Sequence, residues 1–237
     1  MKILIICGHG NGDPGACACG YKEADLVREQ GRLLVQSLSP YADVDLYDTS
    51  SNLYKVLKAG KTFNFKPYNY VLELHFNAGV KDQNGDGKST GIEILVHTSE
   101  QGVGVETAIV NNVCALGFKN RGVKKLNNLL NMNICKGKQG VSYALIETCF
   151  IDDLDDMKLY LNKKDEVVTA ITNGIVTGFS LKKINKELTE ASEITNDLAA
   201  NYFPINDKSN FIKALDEAKK SNSPLYWGYY KLVNKIE

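Results

Sequence analysis

Long apolar runs and an excess of charge of either sign are both missing from this sequence. No stretch approaches the roughly 20 apolar residues that a membrane-spanning helix needs, so we expect no insertion into a membrane. The 28 lysines and arginines balance the 28 aspartates and glutamates, which gives a formal net charge of zero. A neutral chain lacks the broad basic surface with which proteins attract nucleic acid, so we expect no nucleic-acid partner.

Cysteine is present but follows no pattern that predicts a disulfide framework or a zinc knuckle. Six cysteines are scattered through 237 residues, and the apolar run at the start is too short for the core of a signal peptide. Gly8-His9-Gly10 stands where a cleavage motif would be needed, so we expect synthesis in the cytoplasm without a signal peptide, and free thiols. Cys17 and Cys19 lack the C-x-x-C spacing and a second cysteine pair, so we expect no metal there.

Apolar runs that alternate with amphipathic segments predict an α/β fold. Short, nearly continuous apolar runs without helical spacing are typical of strands that are buried on both faces. Segments with one polar and one apolar face, typical of helices, separate them. This alternation predicts a twisted, mainly parallel sheet with helices on both faces. The predicted strands are 1–7, 44–47, 68–75, 91–98 and 142–150, and the predicted helices are 21–38, 49–61, 99–116, 152–161 and 165–181.

The character of the sequence changes after residue 182, which predicts a domain boundary. Residues 1–182 carry the α/β pattern, whereas residues 186–237 contain short, charged amphipathic segments and an aromatic cluster around the only tryptophan, Trp227. We therefore expect a small helical domain over 186–237. The aromatic cluster is either the core of that domain or a binding face.

The first predicted strand ends in Gly8-His9-Gly10, a place where functional residues are common. Ligands of α/β sheets collect just beyond the carboxyl ends of parallel strands, and the two glycines let the backbone turn sharply. A lone histidine at this place is also typical of a turn that binds nothing. The interpretation therefore depends on whether other residues of the chain join His9.

Three residues are candidates to join His9 at this edge of the predicted sheet. Glu23 begins the first helix, His75 ends a buried strand, and Glu147 interrupts the apolar strand 142–150. Two histidines and a carboxylate with one open position are the ligand type of a catalytic zinc ion. A further carboxylate held close to the metal would be the general base. Burying an unpaired carboxylate in an apolar strand costs free energy, which favours a functional role for Glu147. The alternative is that Glu147 lies at the end of the strand and its carboxylate reaches water.

Five short segments are informative when their order and spacing are taken together, and we call them the combined motif. They are Gly8-His9-Gly10 with Asp13-Pro14-Gly15-Ala16 and Glu23; Glu73-Leu74-His75-Phe76-Asn77-Ala78; Gly91-Ile92-Glu93-Ile94; Asn120-Arg121-Gly122-Val123-Lys124; and Leu145-Ile146-Glu147-Thr148-Cys149-Phe150-Ile151. Their order and spacing resemble the zinc-dependent N-acetylmuramoyl-L-alanine amidases of bacterial autolysins and phage endolysins, over roughly residues 2–180. The sequence departs from that family where Glu73 replaces a frequent serine and Cys149 replaces a frequent glycine. Neither position is a ligand, although Cys149 is expected to alter the pocket wall.

The resemblance implies a mechanism and a set of site residues. It implies His9, Glu23 and His75 as zinc ligands, Glu147 as the catalytic glutamate and Asn77 as a substrate-binding residue. The reaction would be hydrolysis of the amide bond between the lactyl group of N-acetylmuramic acid and L-alanine, by zinc-activated water that gives its proton to Glu147. The partner would be bacterial peptidoglycan. A phage endolysin that acts on the cell wall after release fits a chain made without a signal peptide.

Residues 82–93 fit the D-x-N-x-D-G-x5-E pattern of an EF-hand calcium loop, with Asp82, Asn84, Asp86 and Glu93 as oxygen ligands. An EF-hand loop has a helix on each side, whereas both flanks here are predicted strands. These flanks favour the alternative of a polar loop rich in turn-forming residues. Calcium is therefore the less favoured interpretation of this loop.

Three other functions would be compatible with the same site residues or with the same fold. A zinc peptidase or carboxypeptidase would apply the same metal chemistry to peptides. A non-catalytic wall-binding protein would keep the fold without turnover, although the full set of four site residues argues against it. Residues 8–12 lack both the G-x-G-x-x-G spacing and the lysine of a phosphate-binding loop, which argues against a nucleotide-binding domain.

Two parts of the sequence have no assigned role in this scheme. His97 ends a predicted strand, and the same sheet edge is one place for it; we expect a substrate-side or surface residue and not a ligand, because the family resemblance gives it no role. The predicted domain 186–237 is expected to target the chain to the wall or to mediate self-association through its helices; the less favoured alternative is that it only braces the core.

Overall fold

The structure, a computed structural model, describes residues 1–184 and Lys220. Residues Met1–Lys182 form one compact unit that is built on a six-stranded sheet. Apart from Lys220, the small helical domain that we predict over 186–237 lies outside the described residues. Its boundaries and its role stay predictions.

Strands and helices follow one another along the chain in the alternation that the sequence predicts. Within the described residues the strands are β1 (Lys2–Cys7), β2 (Cys17–Ala18), β3 (Tyr21–Lys22), β4 (Asp43–Leu46), β5 (Tyr70–Asn77), β6 (Ile92–His97), β7 (Asn120–Leu126) and β8 (Ser142–Phe150). The helices are α1 (Glu23–Leu38), α2 (Leu53–Lys58), α3 (Gly104–Cys114), α4 (Leu130–Met132), α5 (Leu154–Asn162) and α6 (Lys164–Gly178), and α4 continues into a π-helical turn (Asn133–Lys138). None of the helices in this part of the chain is both long and apolar enough to cross a membrane.

Two helices, α2 and α3, begin four and five residues later than the sequence predicts. α2 begins after Asn52, whose side chain accepts a hydrogen bond of 3.1 Å from the backbone N–H of Lys55 and so caps the first turn. α3 begins only at Gly104, because Glu100 is drawn into a buried ion pair with Lys136 at 3.0 Å. Local helical pattern is overridden at this point by a contact with a distant part of the chain.

The sheet has the order β4-β1-β5-β8-β6-β7 and is mainly parallel, as predicted. β4, β1, β5 and β8 are parallel neighbours, whereas β6 is antiparallel to β8, and β7 is parallel to β6. The chain between β5 and β6 is a loop, residues 78–91, that contains no helix. Because a parallel return needs a crossover connection, this loop brings the chain back at the same edge and β6 runs the opposite way. The start of β6 therefore lies beside the carboxyl ends of β5 and β8.

Helices cover both faces of the sheet, as predicted. Successive side chains of a strand point to opposite faces, so Ile5 and Ile146 pack beneath α1, α3, α5 and α6. Leu4 and Tyr143 pack on the other face, beneath α2, α4 and the π-helical turn. Both layers are fully buried, which explains the continuous apolar runs of the central strands. The polar residues of the site lie on the α2 and α4 face, at the carboxyl edge of β5 and β8.

Candidate metal centre and active site

The carboxyl ends of β1, β5 and β8 bring the four predicted site residues together. β5 lies between β1 and β8, and His75 of β5 is the register partner of Glu147 of β8. His9 follows the end of β1, and Glu23 is the first residue of α1. The first turn of a helix favours a negative charge, which suits the carboxylate of Glu23.

A missing side chain at position 8 lets His75 approach β1. A Cβ atom on Gly8 would lie only 2.5 Å from His75 Nε2, closer than real side-chain atoms approach. The next residue, His9, takes the left-handed φ of 60°, and Gly10 follows with φ of 89°. This tight turn brings the two imidazole rings to a centroid distance of 5.0 Å.

The carboxylate of Glu23 lies between the two imidazoles. Its Oε2 is 3.1 Å from His9 Nε2, and its Oε1 is 2.9 Å from His75 Nδ1. The backbone N–H groups of Ala16 and Phe76 each donate to one of its oxygens at 3.0 Å. Burial alone would raise the pKa of Glu23, but hydrogen bonds from His75 and His9 outweigh burial and hold the pKa well below its usual range. Glu23 is therefore ionised at neutral pH.

Each histidine is oriented by a second carboxylate on the far side of its ring. His9 Nδ1 lies 3.1 Å from Asp13 Oδ2, and His75 Nε2 lies 3.2 Å from Glu73 Oε1. Glu73 is buried and also accepts hydrogen bonds from the Tyr143 hydroxyl and from an asparagine side chain of α4. Outer carboxylates of this kind fix the ring orientation and the tautomer of metal-binding histidines.

These contacts turn the remaining donor atoms of His9, Glu23 and His75 towards one another. One ligand atom from each residue lies within 4.8 Å of the other two. Two imidazole nitrogens and one carboxylate oxygen are the protein ligands of catalytic zinc sites that keep one position open. The donor set and its outer carboxylates thus fit a zinc ion.

Glu147 lies beside this group with a carboxylate oxygen that no protein group satisfies. Its Oε2 is shielded from solvent and has no hydrogen-bond partner among the described residues. Burial raises the pKa of Glu147 to about 7, with the nearby positive charge of His75 opposing and the carboxylates of Glu23 and Glu93 adding to the rise. A carboxyl group with a pKa near neutrality is suited to accept and return a proton.

A second polar group, which we call the Glu93 cluster, adjoins Glu147 on the same face. Its members are Asn77, Glu93, Arg121 and Lys124. Asn77 Nδ2 donates to one oxygen of Glu93 at 3.0 Å, while Arg121 Nε, at 2.8 Å, and Lys124 Nζ donate to the other. Asn77, which we predicted to bind substrate, therefore lies at the site with its amide committed to Glu93.

The family of the chain follows from a comparison with known sequences. The profile of the N-acetylmuramoyl-L-alanine amidase family matches residues 3–177, nearly the whole described fold. The chain belongs to this amidase family. The resemblance predicted from the five segments is thereby confirmed.

Individual relatives of the amidase family are distant in sequence and mostly longer. A probable autolysin of Staphylococcus aureus (strain NCTC 8325 / PS 47) is 26% identical over 196 residues, covering 75% of this chain but 38% of the autolysin. The endolysin of Bacillus phage SPP1 is 26% identical over 184 residues, covering 75% of this chain and 64% of the endolysin. The catalytic domain of the CD27L endolysin targeting Clostridia Difficile superposes with a TM-score of 0.58 at 25% identity, covering 78% of this chain and 99% of that domain.

The amidase fold uses the loop 78–91 differently from a calcium-binding EF-hand loop. Glu93, the predicted closing ligand, is held by Arg121 and Lys124 instead, because β6 pairs with β7. Asp82 uses its carboxylate oxygens to accept the backbone N–H groups of Gly85 and Asp86, each at 3.0 Å. Both contacts are those of a turn-rich polar loop.

Acidic residues at the start of α5 anchor this loop in the amidase domain. Asp153 accepts the N–H of Thr90 at 3.0 Å, and Asp156 accepts the N–H of Gly91 at 2.9 Å. Asp155 lies with Asp82 and Asp86 in a group of three carboxylates, whereas Asn84 is exposed. The structure therefore brings together two of the four residues predicted from the calcium pattern, with a partner from α5 that the pattern did not contain.

Two other residues of the amidase domain lie away from the site, although the sequence analysis allowed both of them near it. His97 does not lie at the edge of the metal centre: β6 is antiparallel to β8, so the end of β6 lies at the opposite edge, where His97 Nδ1 is 2.7 Å from Ser99 Oγ. Cys149 does not line the pocket, because it is fully buried in the core beneath α1, α3, α5 and α6. All six cysteines are unpaired, as predicted.

Sequence reasoning missed the outer carboxylates Asp13 and Glu73 of this amidase centre. Both stood inside the segments that carried the resemblance, but neither was assigned a role. A signal was present for Glu73, because it precedes His75 by two residues in a strand and so shares its face. The signal for Asp13 was its position four residues after His9 across a tight turn.

Proposed function

We propose that this chain is a zinc-dependent amidase that cleaves the bond between the lactyl group of N-acetylmuramic acid and L-alanine in peptidoglycan. The observation that carries the proposal is the unsatisfied carboxylate of Glu147 beside the converging donors of His9, Glu23 and His75. Membership of the amidase family supports the choice of substrate. The names of the relatives, an autolysin and an endolysin, fit the same choice.

His9, Glu23 and His75 would hold the zinc ion. When bound, zinc would lower the pKa of a water molecule and polarise a carbonyl oxygen. Asp13 and Glu73 keep the two imidazoles in place from the far side of each ring. Because the pKa of Glu23 is held low, its carboxylate is available as a ligand without first losing a proton.

Glu147 carries the proton through the reaction. Its carboxylate removes a proton from the attacking water, whose oxygen forms a bond to the lactyl carbonyl carbon. The carbon–nitrogen bond then breaks, and Glu147 returns the proton to the departing amino group of L-alanine. The products are a lactyl carboxylate on the glycan and a peptide with a free amino terminus.

Purified peptidoglycan is the substrate that tests this proposal. We expect mass spectrometry to detect stem peptides that begin with L-alanine and glycan strands that keep their lactyl carboxylates. Cleavage only within the peptides would establish the alternative of a zinc peptidase. Absence of any cleavage by a zinc-loaded chain would support the alternative of a non-catalytic wall-binding protein.

The same assay tests the roles given to the four site residues. Glu147→Ala is expected to abolish turnover and to keep zinc, because Glu147 is not a ligand. His9→Ala and His75→Ala are expected to lose both. Release of peptide by Glu147→Ala at the parental rate would rule out the proposed role of Glu147.

We further propose that the chain acts as a phage endolysin, made in the cytoplasm and released to the wall. The similarity to the endolysin of a Bacillus phage supports this proposal. Expression in a bacterial host is expected to cause lysis only when the inner membrane is permeabilised. Lysis without permeabilisation would indicate another route to the wall.

The predicted domain 186–237 would then target the chain to the wall or mediate self-association. Comparison of residues 1–182 with the full chain separates the two roles. Loss of sedimentation with insoluble wall material indicates targeting, whereas a lower mass in solution indicates self-association. If neither property changes, both roles are wrong.

A further inference from the structure

The Glu93 cluster contains more positive charge than its own ion pair needs. Arg121 and Lys124 both bind the carboxylate of Glu93, so two cations face one anion. Burial alone would raise the pKa of Glu93, but hydrogen bonds from Lys124 and Arg121 outweigh it and lower the pKa, so this carboxylate is ionised. The three charges sum to one surplus positive charge next to Glu147.

Arg121 is fixed in place while part of its guanidinium group stays available. Its central carbon lies 4.8 Å from the ring centroid of Phe150, and its Nε is bound to Glu93. Neither of its two Nη atoms has a hydrogen-bond partner among the described residues, and 29% of the side chain is exposed. A guanidinium that is stacked and anchored in this way is preorganised to bind a carboxylate through its remaining N–H groups.

An irregularity in β7 places both cations on Glu93. The register between β6 and β7 shifts opposite Glu93, where β7 contains one extra residue. Gly122 makes this bulge with a φ of 80°. Bulges of this kind are common beside active sites, where they redirect a side chain. Here Arg121 and Lys124, which flank the bulge, both reach the same carboxylate.

We propose that Arg121 and Lys124 bind a carboxylate of the substrate peptide, on the residue that follows the L-alanine of the scissile bond. This inference rests on the proposed amidase function and names the side of the substrate that the Glu93 cluster contacts. The cluster therefore selects an acidic stem peptide over one whose carboxylate is amidated.

The dimensions of the sheet agree with this assignment. Glu93 and Glu147 are register partners, so the cluster begins one strand spacing, about 5 Å, from the general base. Two residues of extended peptide span about 7 Å. A peptide whose amide bond lies at Glu147 therefore brings the carboxylate of its second residue within reach of the side chains that converge on Glu93.

A matched pair of soluble muramoyl peptides tests the inference. The two differ only in the residue after L-alanine, which carries either an α-carboxylate or an α-carboxamide. We expect the parental chain to have the higher kcat/KM for the carboxylate form. Arg121→Gln is expected to lower that value by roughly tenfold, the loss of one charge-assisted hydrogen bond, and to lower the value for the carboxamide by much less, so that the preference for the carboxylate is lost.

Three further variants test whether the preference depends on the charges of the Glu93 cluster. Lys124→Gln is expected to reduce the same preference without removing the guanidinium. Arg121→Lys keeps the charge and is expected to restore part of the preference. Arg32→Gln, on the exposed side of α1, removes an arginine in the same way far from the cluster and is expected to change neither value.

Binding without turnover supplies a second measurement. In a Glu147→Gln background, calorimetry with the uncleaved carboxylate peptide is expected to give a Kd that Arg121→Gln raises by roughly tenfold. Equal kcat/KM values for the two peptides in the parental chain and in Arg121→Gln would overturn the inference while leaving the amidase function intact. Failure of the parental chain to cleave either peptide, with zinc bound, would instead overturn the proposed function.

Discussion

Glu93 and Glu147 are register partners in adjacent antiparallel strands, so two acidic side chains stand next to each other on one face of the sheet. Their two carboxylates differ in whether they have partners. Glu93 is paired with two cations and is held ionised, whereas Glu147 has an oxygen without a partner among the described residues. The pairing of Glu93 limits its repulsion of Glu147, so burial remains the main cause of the raised pKa at Glu147.

Glu147→Gln is expected to lower kcat by about 10²–10⁴-fold and to keep the bound zinc, because the amide fits the same space but cannot accept the proton. Release of new amino termini from purified peptidoglycan measures the rate, and atomic absorption measures the metal. His75→Ala serves as the contrasting variant, with zinc and activity both lost. A Glu147→Gln protein that lost its zinc would show that Glu147 supports the metal centre as well.

Activity is expected to fall as the pH is lowered. The pKa of Glu147 is raised to about 7 by burial, and the general base works only when it is deprotonated. A bound cation favours the carboxylate and lowers this pKa, so the acidic limb of kcat/KM should lie at or below that value. The check is a pH profile on a soluble muramoyl peptide with the zinc content measured at each pH. A flat acidic profile with zinc fully bound would contradict the assignment.

Glu73→Gln is expected to weaken zinc binding by about 10–100-fold, because His75 loses the carboxylate that orients its ring. Competition with a chromogenic chelator measures the affinity without any assay of turnover. Glu106→Gln is the matched control: Glu106 is equally buried and also accepts from a tyrosine hydroxyl, that of Tyr70, but it touches neither histidine. Equal zinc affinity in the two variants would mean that Glu73 has no role in the metal centre.

Gly174→Ala is expected to reduce the free energy of unfolding by about 1–3 kcal/mol. Its new Cβ would lie 2.7 Å from Ile109 Cα, so α6 would have to move away from the backbone of α3. Asn173→Ala, at the neighbouring exposed position, is expected to change stability by less than about 0.5 kcal/mol. Urea unfolding of both variants provides the comparison. Unchanged stability in Gly174→Ala would indicate that α3 and α6 leave room for a methyl group between them.

Calcium is expected to leave the thermal stability unchanged, because Glu93 is committed to its own cluster. Asp82→Ala should cost about 0.5–1.5 kcal/mol in the presence or absence of calcium, since two backbone N–H groups that water can reach lose their acceptor. Thermal unfolding with increasing calcium chloride checks both statements. A rise in Tm with calcium that disappears in Asp82→Ala would restore the calcium interpretation of the loop.

The sequence predicted those parts of the fold that depend on residues close together in the chain. The buried strands followed from apolar runs, and the convergence of His9, Glu23, His75 and Glu147 followed from the glycines and the combined motif. The direction of β6 did not, because it depends on which strands become neighbours. For the same reason Glu93 was assigned to a calcium loop. Its actual partners, Arg121 and Lys124, come from a strand whose pairing no local signal reveals.

Position 8 shapes the candidate metal centre although it contributes no ligand. The ring of His75 occupies the volume that a side chain at Gly8 would fill. A substitution there competes with the imidazole for space, and a displaced imidazole loses its contacts with Glu23 and Glu73. We therefore expect larger side chains at this position to lower metal binding progressively, at sizes that still allow the sheet to fold.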